Sequence, residues 1–462
     1  MAKGKKKEVL TLEERLQAAL VPESEQPYQV PGNWCWTRIE YINQYNSCSM
    51  DPAKQSDEMF ELYSVPSSAG NYPEILSGDE IGSIKQSVQK GDVLLCKINP
   101  RINRVWQVSK YTNNTLLASS EWIVVRNKYL NSEYLMRCFQ SNYFREFMLS
   151  NVSGVGGSLM RAQPKYVQGY PVPIPPLSEQ QRIVECIESL FAKLDEARRK
   201  VQDVLDGFEP RRAAILHKAF SGELTAQWRK EHGVGMEEWI DTVLSKVVTG
   251  FKYGTSEKSD YSYAGMPVFR IPNITENGLS FEDMKFLPRY DVKEESQIHE
   301  NDILIIRSNG SRDLVGKSVL VPKLDVSYAY ASFLIKIKPS AAIVPDFLVL
   351  YLNSTGARVQ MFKKAKSSVG INNINAKELG GIALKIPSIQ EQSKVVHVLD
   401  DLFAKERQVK EASETVLEQI DLIKKSILAR AFRGELGTND PAEESALELI
   451  KQTLSETIAD ND

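Results

Sequence analysis

The chain contains one segment twice, and the second copy follows the first at a constant distance. Ile-Pro-Pro-Leu-Ser-Glu-Gln at 174–180 returns as Ile-Pro-Ser-Ile-Gln-Glu-Gln at 386–392, an offset of 212 residues. Gly-Glu-Leu at 222–224 returns at 434–436 with the same offset. Because the register does not slip over about 50 residues, the segment needs a defined length. The repeat predicts that one structural unit is used twice.

Both copies show the apolar spacing of a long helix. Such a helix reaches up to about 60 Å at 1.5 Å per residue. One narrow apolar stripe favours pairing with another helix, so we predict that the two copies pair with each other. Apolar residues recur at three- and four-residue steps at Ile183, Ile187, Leu190, Leu194, Val201 and Leu205, and at Val395, Val398, Leu402, Val409, Val416, Ile420, Ile423 and Ile427. We assign Ile183, Ile187, Leu190, Phe191, Val395, Leu402 and Phe403 to helix pairing or partner contacts.

The ends of the helices also carry signals. Ser178 is a candidate N-cap after a proline pair, and Gly222 and Gly434 stand where C-terminal caps occur. Pro210 lies in the first copy only, and proline removes a helix hydrogen bond. We therefore expect a kink near Pro210 and none near Leu422.

A globular module precedes each helix. Residues 30–173 and 236–385 share landmarks in the same order, including Trp34 and Trp239 at their starts. Each also has a buried-strand run, Gly-Asp-Val-Leu-Leu-Cys-Lys at 91–97 and Asn-Asp-Ile-Leu-Ile-Ile-Arg at 301–307. The predicted fold class is α+β, with module 1 at 30–173 and module 2 at 236–385. The remaining regions are a tail with a short helix at 1–29, a helical region with linker at 174–235, a helical region at 386–436 and a tail at 437–462.

Composition excludes several classes of protein. The 462 residues are 42% hydrophobic and 25% charged, and no run approaches the roughly 18 apolar residues of a membrane helix. The five cysteines have no disulfide or zinc spacing, and the basic start is not followed by a secretory apolar region. We expect a cytoplasmic protein. The net charge of −3 does not itself mark a nucleic-acid binder.

Basic and amide side chains cluster near loops of both modules. Arg and Lys suit phosphates, and Arg and Asn also suit guanine and adenine edges in the major groove. The modules have diverged while the helices kept their length, as expected for two surfaces that read different targets on one spacer. Candidate DNA contacts are Lys97, Asn99, Arg101 and Arg104 in module 1, and Arg307, Asn309, Arg312, Lys363, Lys364 and Lys366 in module 2.

Motifs for catalysis or cofactor binding are incomplete. The segment 310–318 resembles a P-loop, but Ser311 occupies the position that needs the first glycine. The glycines at 154, 156 and 157 lack the strand, helix and acidic residue of a dinucleotide site. No adenine-methyltransferase motif, paired carboxylates or metal cluster stands out. We therefore expect a binding protein with no catalytic residue, metal or cofactor of its own.

The repeated pattern resembles a known family. A module beginning at Trp34, the motif at 174–184 that opens a helix, and Ala-Phe-Ser-Gly-Glu-Leu at 219–224 that ends it are similar to the specificity subunits of type I restriction-modification systems. The resemblance covers nearly the entire chain. The second copy departs from it at Ser388 and Ile389, which puts only the start of that helix in doubt.

The resemblance implies a pseudo-twofold protein with two target-recognition domains and two helical regions that form an antiparallel coiled coil. Each domain would read one half of a split, asymmetric double-stranded DNA target. The helices would set the distance between the halves and carry two methyltransferase subunits, and two restriction and translocation subunits would join them. S-adenosylmethionine, ATP and Mg²⁺ would bind to these partner subunits, not to this chain.

Two other hypotheses about the function are compatible with parts of the sequence. A fused nuclease or methyltransferase acting alone would need the motifs that are missing. A coiled-coil protein scaffold without DNA specificity would leave the divergent basic modules unexplained. The terminal tails are either solvated or meet to close the pseudo-symmetric arrangement, and Thr11 with Glu14 predicts a capping box that opens the N-terminal helix.

Overall fold

A computed structural model of the chain describes residues 11–150, 152–153, 160–276, 278–368 and 370–459. The chain forms two compact units. Unit 1 consists of the residues up to Val201 and those from Thr415 onward, and unit 2 is Gln202–Glu414. Each unit holds one module and part of each helical region, so the unit boundaries cut through the helices. Within the described residues, no helix is both long and apolar enough to cross a membrane.

The fold combines long helices with many short strands. The helices are α1 (Leu12–Ala19), α2 (Ile39–Ile42), α3 (Ser132–Phe139), α4 (Asn142–Ser150), α5 (Pro164–Gln168), α6 (Leu177–Asp206), α7 (Phe208–Phe220), α8 (Ala226–His232), α9 (Leu244–Val247), α10 (Pro345–Leu352), α11 (Thr355–Lys364), α12 (Ala376–Gly380), α13 (Ile389–Ala431) and α14 (Leu447–Ala459).

The strands of unit 1 are β1 (Cys35–Arg38), β2 (Ser49–Met50), β3 (Met59–Tyr63), β4 (Glu74–Ser77), β5 (Lys85–Ser87), β6 (Val93–Cys96), β7 (Val105–Gln107), β8 (Thr115–Ala118), β9 (Trp122–Val125), β10 (Val152–Ser153), β11 (Arg161–Ala162) and β12 (Pro171–Ile174). Those of unit 2 are β13 (Ile240–Val243), β14 (Val248–Tyr253), β15 (Pro267–Phe269), β16 (Ile274–Thr275), β17 (Gly278–Leu279), β18 (Lys285–Phe286), β19 (Gln297–Ile298), β20 (Ile303–Ile306), β21 (Ser308–Asn309), β22 (Ser318–Leu320), β23 (Tyr328–Tyr330), β24 (Leu334–Pro339), β25 (Lys366–Ser368), β26 (Ile371–Asn373) and β27 (Ala383–Ile386).

In each module the first strand pairs with the last strand. β1 runs antiparallel to β12, and β13 runs antiparallel to β27. The larger sheets of unit 1 have the strand orders β2-β5-β8-β3-β4 and β7-β6-β9, and those of unit 2 have β14-β24-β20-β22 and β18-β15-β23-β19. The last strand leads directly into the long helix. Because the first strand pairs with this last strand, the start of the module lies beside the start of the helix.

The predicted buried strands are central in both modules. In β6, Val93 and Leu95 lie in one hydrophobic core while Leu94 and Cys96 lie in another. The residues of β20 alternate in the same way between two cores. Since successive side chains of a strand point to opposite faces, a strand buried on both faces is apolar throughout. This confirms the strand interpretation of 91–97 and 301–307.

The first helical region is interrupted and the second is continuous. α6 ends at Asp206 and α7 begins at Phe208, whereas α13 is one helix of 43 residues. Pro210 lies in the first turn of α7, where its missing N–H costs no helix hydrogen bond. The predicted difference between the two copies is confirmed.

One predicted helix start is wrong. α6 begins at Leu177, so Ser178 lies inside the first turn, and its hydroxyl donates to Glu443 Oε1 at 2.6 Å instead of capping the helix. In the second copy α13 begins at Ile389, and the Ser388 hydroxyl accepts a hydrogen bond from the Glu391 N–H at 3.3 Å. The departure from the family pattern at 388 therefore supplies the second helix with an N-cap.

The helices pair antiparallel within each unit. In unit 1, Lys424 of α13 bonds to Asp195 of α6 and its ammonium lies 5.0 Å from the ring centroid of Phe191. In unit 2, the Arg212 guanidinium of α7 lies 4.2 Å from the ring centroid of Phe403 in α13. Phe403 follows Phe191 by the repeat offset of 212 residues, and Arg212 precedes Lys424 by the same offset, so the two helical regions have exchanged roles. The cation–aromatic contact is thus the same contact made twice.

The residues assigned to helix pairing take two kinds of position. Ile183, Ile187 and Val395 are fully buried in cores that the helices share with the modules. Phe191 and Phe403 are partly buried and pack against those cores. Leu190 and Leu402 are half-exposed. The first turns of α6 and α13 therefore serve mainly to attach the modules.

A buried carboxylate at the start of each long helix holds the module tryptophan. In unit 1 the Trp34 indole donates to Glu179 Oε2 at 2.7 Å, and Asn439 and Thr438 also donate to this carboxylate at 2.8 and 3.2 Å. In unit 2 the Trp239 indole donates to Glu391 Oε2 at 3.0 Å, and Thr225 and the buried Arg229 donate to Oε1. The start of each repeat is thereby joined to the residues that follow the other repeat.

The glutamine that follows each of these glutamates makes a second attachment. The Gln180 amide donates to the Pro175 carbonyl at 2.9 Å and accepts from the Asn131 N–H at 2.8 Å. Gln392 does the same with the Pro387 carbonyl and the Val344 N–H. Both glutamines are fully buried. The Glu-Gln of the repeat is therefore a structural clamp between helix and module, which we call the Trp-Glu-Gln clamp.

The glycines at the ends of the helical regions have two roles. Gly222 and Gly434 both have positive φ, +82° and +73°, which matches their predicted capping positions. A Cβ on Gly434 would lie 2.5 Å from Pro31, and one on Gly222 would lie 2.6 Å from the Met236 sulfur. The helix ends can approach the module starts this closely because the residue is glycine.

The terminal segments meet in unit 1. α1 opens with the predicted Thr11–Glu14 capping box and packs with α14, and Ala446 donates to the Asn33 carbonyl at 3.0 Å. The Arg182 guanidinium and the Ser178 hydroxyl bond to Glu443 and lower the pKa of that carboxyl to about 2. The described parts of the tails are therefore docked.

The two clamps differ in charge, which predicts unequal effects of the same substitution. Glu391→Gln leaves the buried Arg229 guanidinium without its counter-charge and should destabilise unit 2 by about 3–5 kcal/mol. Glu179→Gln retains an acceptor for three neutral donors and should cost unit 1 about 1–2 kcal/mol. Denaturant-dependent amide exchange, measured separately on peptides of each unit, tests this. Equal losses in the two variants would contradict it.

Candidate nucleic-acid interface

Each module has an edge where the buried central strand continues beyond its sheet. In unit 1 the chain after β6 pairs with the β10–β11 segment. Ala162 donates to the Lys97 carbonyl at 2.9 Å, and Asn99 donates to the Met160 carbonyl at 2.9 Å. Residues 154–159, which include the glycines considered above as a dinucleotide site, lie outside the described residues. We call this region edge 1.

Unit 2 repeats the arrangement. After β20, β21 pairs with β26, which also pairs with β25. Ile374 donates to the Arg307 carbonyl at 2.9 Å, as Ala162 does to the carbonyl of Lys97. Ile374 follows Ala162 by the same 212 residues as the repeat. We call this region edge 2, and it places module 2 candidates from distant parts of the sequence on one surface.

The four module 1 candidates all lie at edge 1 but differ in availability. Arg101 is exposed on a short turn, and Arg104 is half-buried. The Lys97 ammonium donates to the Ser120 carbonyl. Asn99 has a φ of +47°, and its buried side-chain oxygen has no partner among the described residues. Because asparagine tolerates left-handed backbone, Asn99 has a conformational role in the turn, whereas the Arg101 side chain is exposed to solvent.

Arg307 is held in place at edge 2. Its guanidinium lies 4.7 Å from the ring centroid of Tyr253, and its NH2 group donates to Asn373 Oδ1 at 3.2 Å. NH1 also donates to the Ser332 carbonyl at 3.4 Å. The Asn309 side-chain oxygen accepts from the Ser311 N–H at 2.8 Å. Both side chains therefore fix the backbone of the edge.

The remaining module 2 candidates are exposed cations around the same edge. The Arg312 guanidinium lies against Phe362, 5.6 Å from the ring centroid, and Lys363 and Lys364 directly follow Phe362 at the end of α11. Lys366 begins β25, where it is the register partner of Asn373. The tertiary structure thus brings all six predicted residues of module 2 to one edge.

Several residues at these edges escaped the sequence analysis. Arg161 lies in β11 opposite Ile98, and its partner at the repeat offset is Asn373, so extending the self-comparison backward from residue 174 would have found it. Lys377 is exposed at the start of α12. Tyr253, Phe333 and Ile371 are large apolar or aromatic residues exposed beside Arg307 or Asn373. No periodicity marks these three residues, because their exposure depends on the folded edge.

The chemistry available at the edges suits binding. Cationic, amide and exposed aromatic groups are the side chains that contact phosphates and base edges. Within the described ranges, no group of three His, Cys, Asp or Glu side chains could hold a metal ion. The arrangement therefore suits the binding of a polyanion such as a nucleic acid.

Comparisons with known proteins agree with this geometry. The family model for the type I restriction modification DNA specificity domain matches residues 33–204 and 237–419. The chain is similar to the type I restriction enzyme EcoKI specificity subunit of Escherichia coli K12, with 27% identity over 67% of this chain and 66% of the relative. It is also similar to the StySPI specificity subunit of Salmonella potsdam, with 26% identity and the same coverage. The chain thus spans just under two thirds of these relatives.

Two solved structures share the fold. A chain from a study of complex assembly and conformational transition of the type I R-M system has a TM-score of 0.72 at 20% identity. The HsdS subunit from Thermoanaerobacter tengcongensis has a TM-score of 0.60, also at 20% identity. Each alignment covers 89% of this chain and the whole of the other. At this identity the likeness shows a common fold of two modules and long helices.

The contacts of Arg307 predict the result of a conservative substitution. Arg307→Lys keeps the charge but loses the planar fork that joins Tyr253, Asn373 and Ser332. Amide exchange in the β25–β26 hairpin should rise about tenfold, a loss of ~1.4 kcal/mol, while β20 stays protected. Hydrogen exchange with mass spectrometry measures this. Lys364→Ala, at an exposed side chain, is the control, and an unchanged hairpin in the Arg307 variant would refute the positioning role.

Proposed function

Because the chain belongs to the type I restriction-modification DNA specificity family, with both modules matched, we propose that it is a sequence-specific DNA-binding subunit of such a system. It recognises a target in two halves, one for each module. The observation that carries this proposal is the repetition of the edge. Equivalent backbone hydrogen bonds at Lys97 and Arg307 present different side chains in the two modules.

The difference between the edges supports an asymmetric target. Edge 1 offers Arg101 and Arg161 around a short turn, whereas edge 2 offers a hairpin with lysines and exposed aromatic side chains. Since base choice depends on which donors and acceptors reach the major groove, unlike edges read unlike half-sites. The candidate DNA contacts at both edges remain proposals.

The helices are proposed to carry the partner subunits. Two methyltransferase subunits and two restriction and translocation subunits would assemble on this chain, and S-adenosylmethionine, ATP and Mg²⁺ would bind to them. The chain itself would contribute no catalytic residue and no cofactor site. Support comes from the middle of α13, where Val409, Val416, Leu422 and Ile423 are exposed apolar residues on a helix. Such residues are suited to burial against another protein.

The alternatives are less well supported. A scaffold without DNA specificity is not favoured, because the family model matches both modules and the curated relatives are specificity subunits. An enzyme acting alone would need a methyltransferase or nucleotide site, and the P-loop-like segment at 310–318 lacks the required glycine spacing.

Genome-wide mapping of methylated adenine tests the proposal directly. The full chain is expressed with its neighbouring methyltransferase in a host without adenine methylation, and then with module 1 (30–173) exchanged for that of a homologue. A split motif should appear, and the exchange should alter only one half. A stable complex that leaves the genome unmethylated would speak for the scaffold.

The same measurement tests the helices as a spacer. A four-residue insertion at 203–209, where α6 meets α7, adds about 6 Å of helix, close to two base-pair steps of about 3.4 Å. The gap between the half-sites should lengthen by one or two base pairs while each half stays the same. Two alanine substitutions at exposed positions in or next to this stretch, Gln202 and Asp203, serve as the length-preserving control. Methylation with an unchanged gap would rule out the spacer role.

A further inference from the structure

A basic recess lies beside edge 2. It has a volume of about 390 Å³ and is lined by Lys364, Lys366, Asn375, Lys377 and Glu378. The lysines come from the end of α11, the start of β25 and the start of α12. Lys364 and Lys366 are two residues apart, and Lys377 follows after the β25–β26 hairpin, so the fold of this hairpin brings the three lysines around one concavity.

The recess has an excess of positive charge. Its single carboxylate, Glu378, lies 3.8 Å from the Lys366 ammonium and also accepts the Asn375 N–H at 2.9 Å as part of a capping box. Lys364 and Lys377 are exposed, and among the described residues neither lies within ion-pair distance of a carboxylate. Two uncompensated cations therefore face a space large enough for an anionic group.

We propose that Lys364, Lys366 and Lys377 form a seat for one backbone phosphate of the DNA duplex. The inference rests on the proposed function and assigns different roles to the lysines and to the Arg307–Asn373 pair of edge 2. Lysine is a flexible point charge that suits a phosphate without demanding a fixed orientation. Arg307 and Asn373, by contrast, are hydrogen-bonded to each other and fix the hairpin that begins at Lys366. Phosphate contacts position a protein on DNA and carry no sequence information directly.

The position of the seat supports a duplex as its occupant. Lys366 is the register partner of Asn373 in β26, so the phosphate would lie one strand away from the central strand of edge 2. Exposed Ile371 lies on the neighbouring strand of the same hairpin. A base-reading edge flanked by a backbone contact is the usual arrangement at a groove, where the protein must hold its register.

Salt dependence distinguishes a seated phosphate from general surface charge. The complex of the full chain with its methyltransferase is titrated with a duplex that carries its methylated motif, at about 50 to 300 mM KCl. The seat variant combines Lys364→Gln, Lys366→Gln and Lys377→Gln. The control combines Lys293→Gln, Lys323→Gln and Lys338→Gln, three exposed lysines of module 2. Val321 donates to the Asp302 carbonyl, which places Lys323 near the start of β20, whereas Arg307 follows the end of β20.

The seat variant should bind about five- to tenfold more weakly near 0.1 M salt, and the slope of log K against log salt should fall by about one. Its methylated motif should stay the same, and the control should match the wild type. An unaltered slope in the seat variant would overturn the proposal, and so would a change in either half of its methylated motif. Loss of the methyltransferase with an unaltered slope would show that the lysines hold an acidic protein surface. If the wild-type complex itself does not prefer its motif, the proposed function fails instead.

Discussion

The hydrogen bond between a module tryptophan and a buried helix glutamate is the contact on which both units depend. The Trp34 indole donates to Glu179 and the Trp239 indole donates to Glu391. Each carboxylate also accepts a hydrogen bond from a threonine that follows the other helical repeat. A buried carboxylate is costly unless several donors satisfy it. Three chain segments must therefore assemble around each glutamate, which ties module, helix start and the end of the other helical region into one cooperative structure.

This attachment explains why the helical repeat keeps its length while the modules vary. The clamp, the cation–aromatic pair and the capping glycines recur at the same offset. An insertion between a clamp and its neighbouring cation–aromatic pair, or between that pair and the glycine, would separate partners that must meet, whereas residues 203–209 lie between Phe191 and Arg212, outside these stretches. Module loops outside these contacts have no such restriction. A protein built in this way can change what each edge contacts without changing how the edges are held.

The Arg and Lys residues of edge 2 show why clustering in sequence is a weak guide to function. Arg307 is conspicuous as a basic residue after a buried strand, yet its guanidinium is bonded to Asn373 and stacked on Tyr253. Lys377 lies outside the clusters of basic residues in the sequence but lines the basic recess beside edge 2. Hydrogen-bonding partners decide whether a cation positions the backbone or meets a ligand, and those partners come from distant segments.

Local patterns in the sequence predict the repeat, the two long helices, the break near Pro210, the capping glycines and the buried central strands. These features depend on local periodicity and on residues with special backbone geometry, such as Gly222 and Gly434. The tertiary structure is needed to show that Ser178 lies inside its helix, that the terminal helices meet, and which cations share an edge. Those outcomes depend on contacts between residues up to several hundred positions apart, as between Asn33 and Asp440, and a single sequence does not encode such distances in any local pattern.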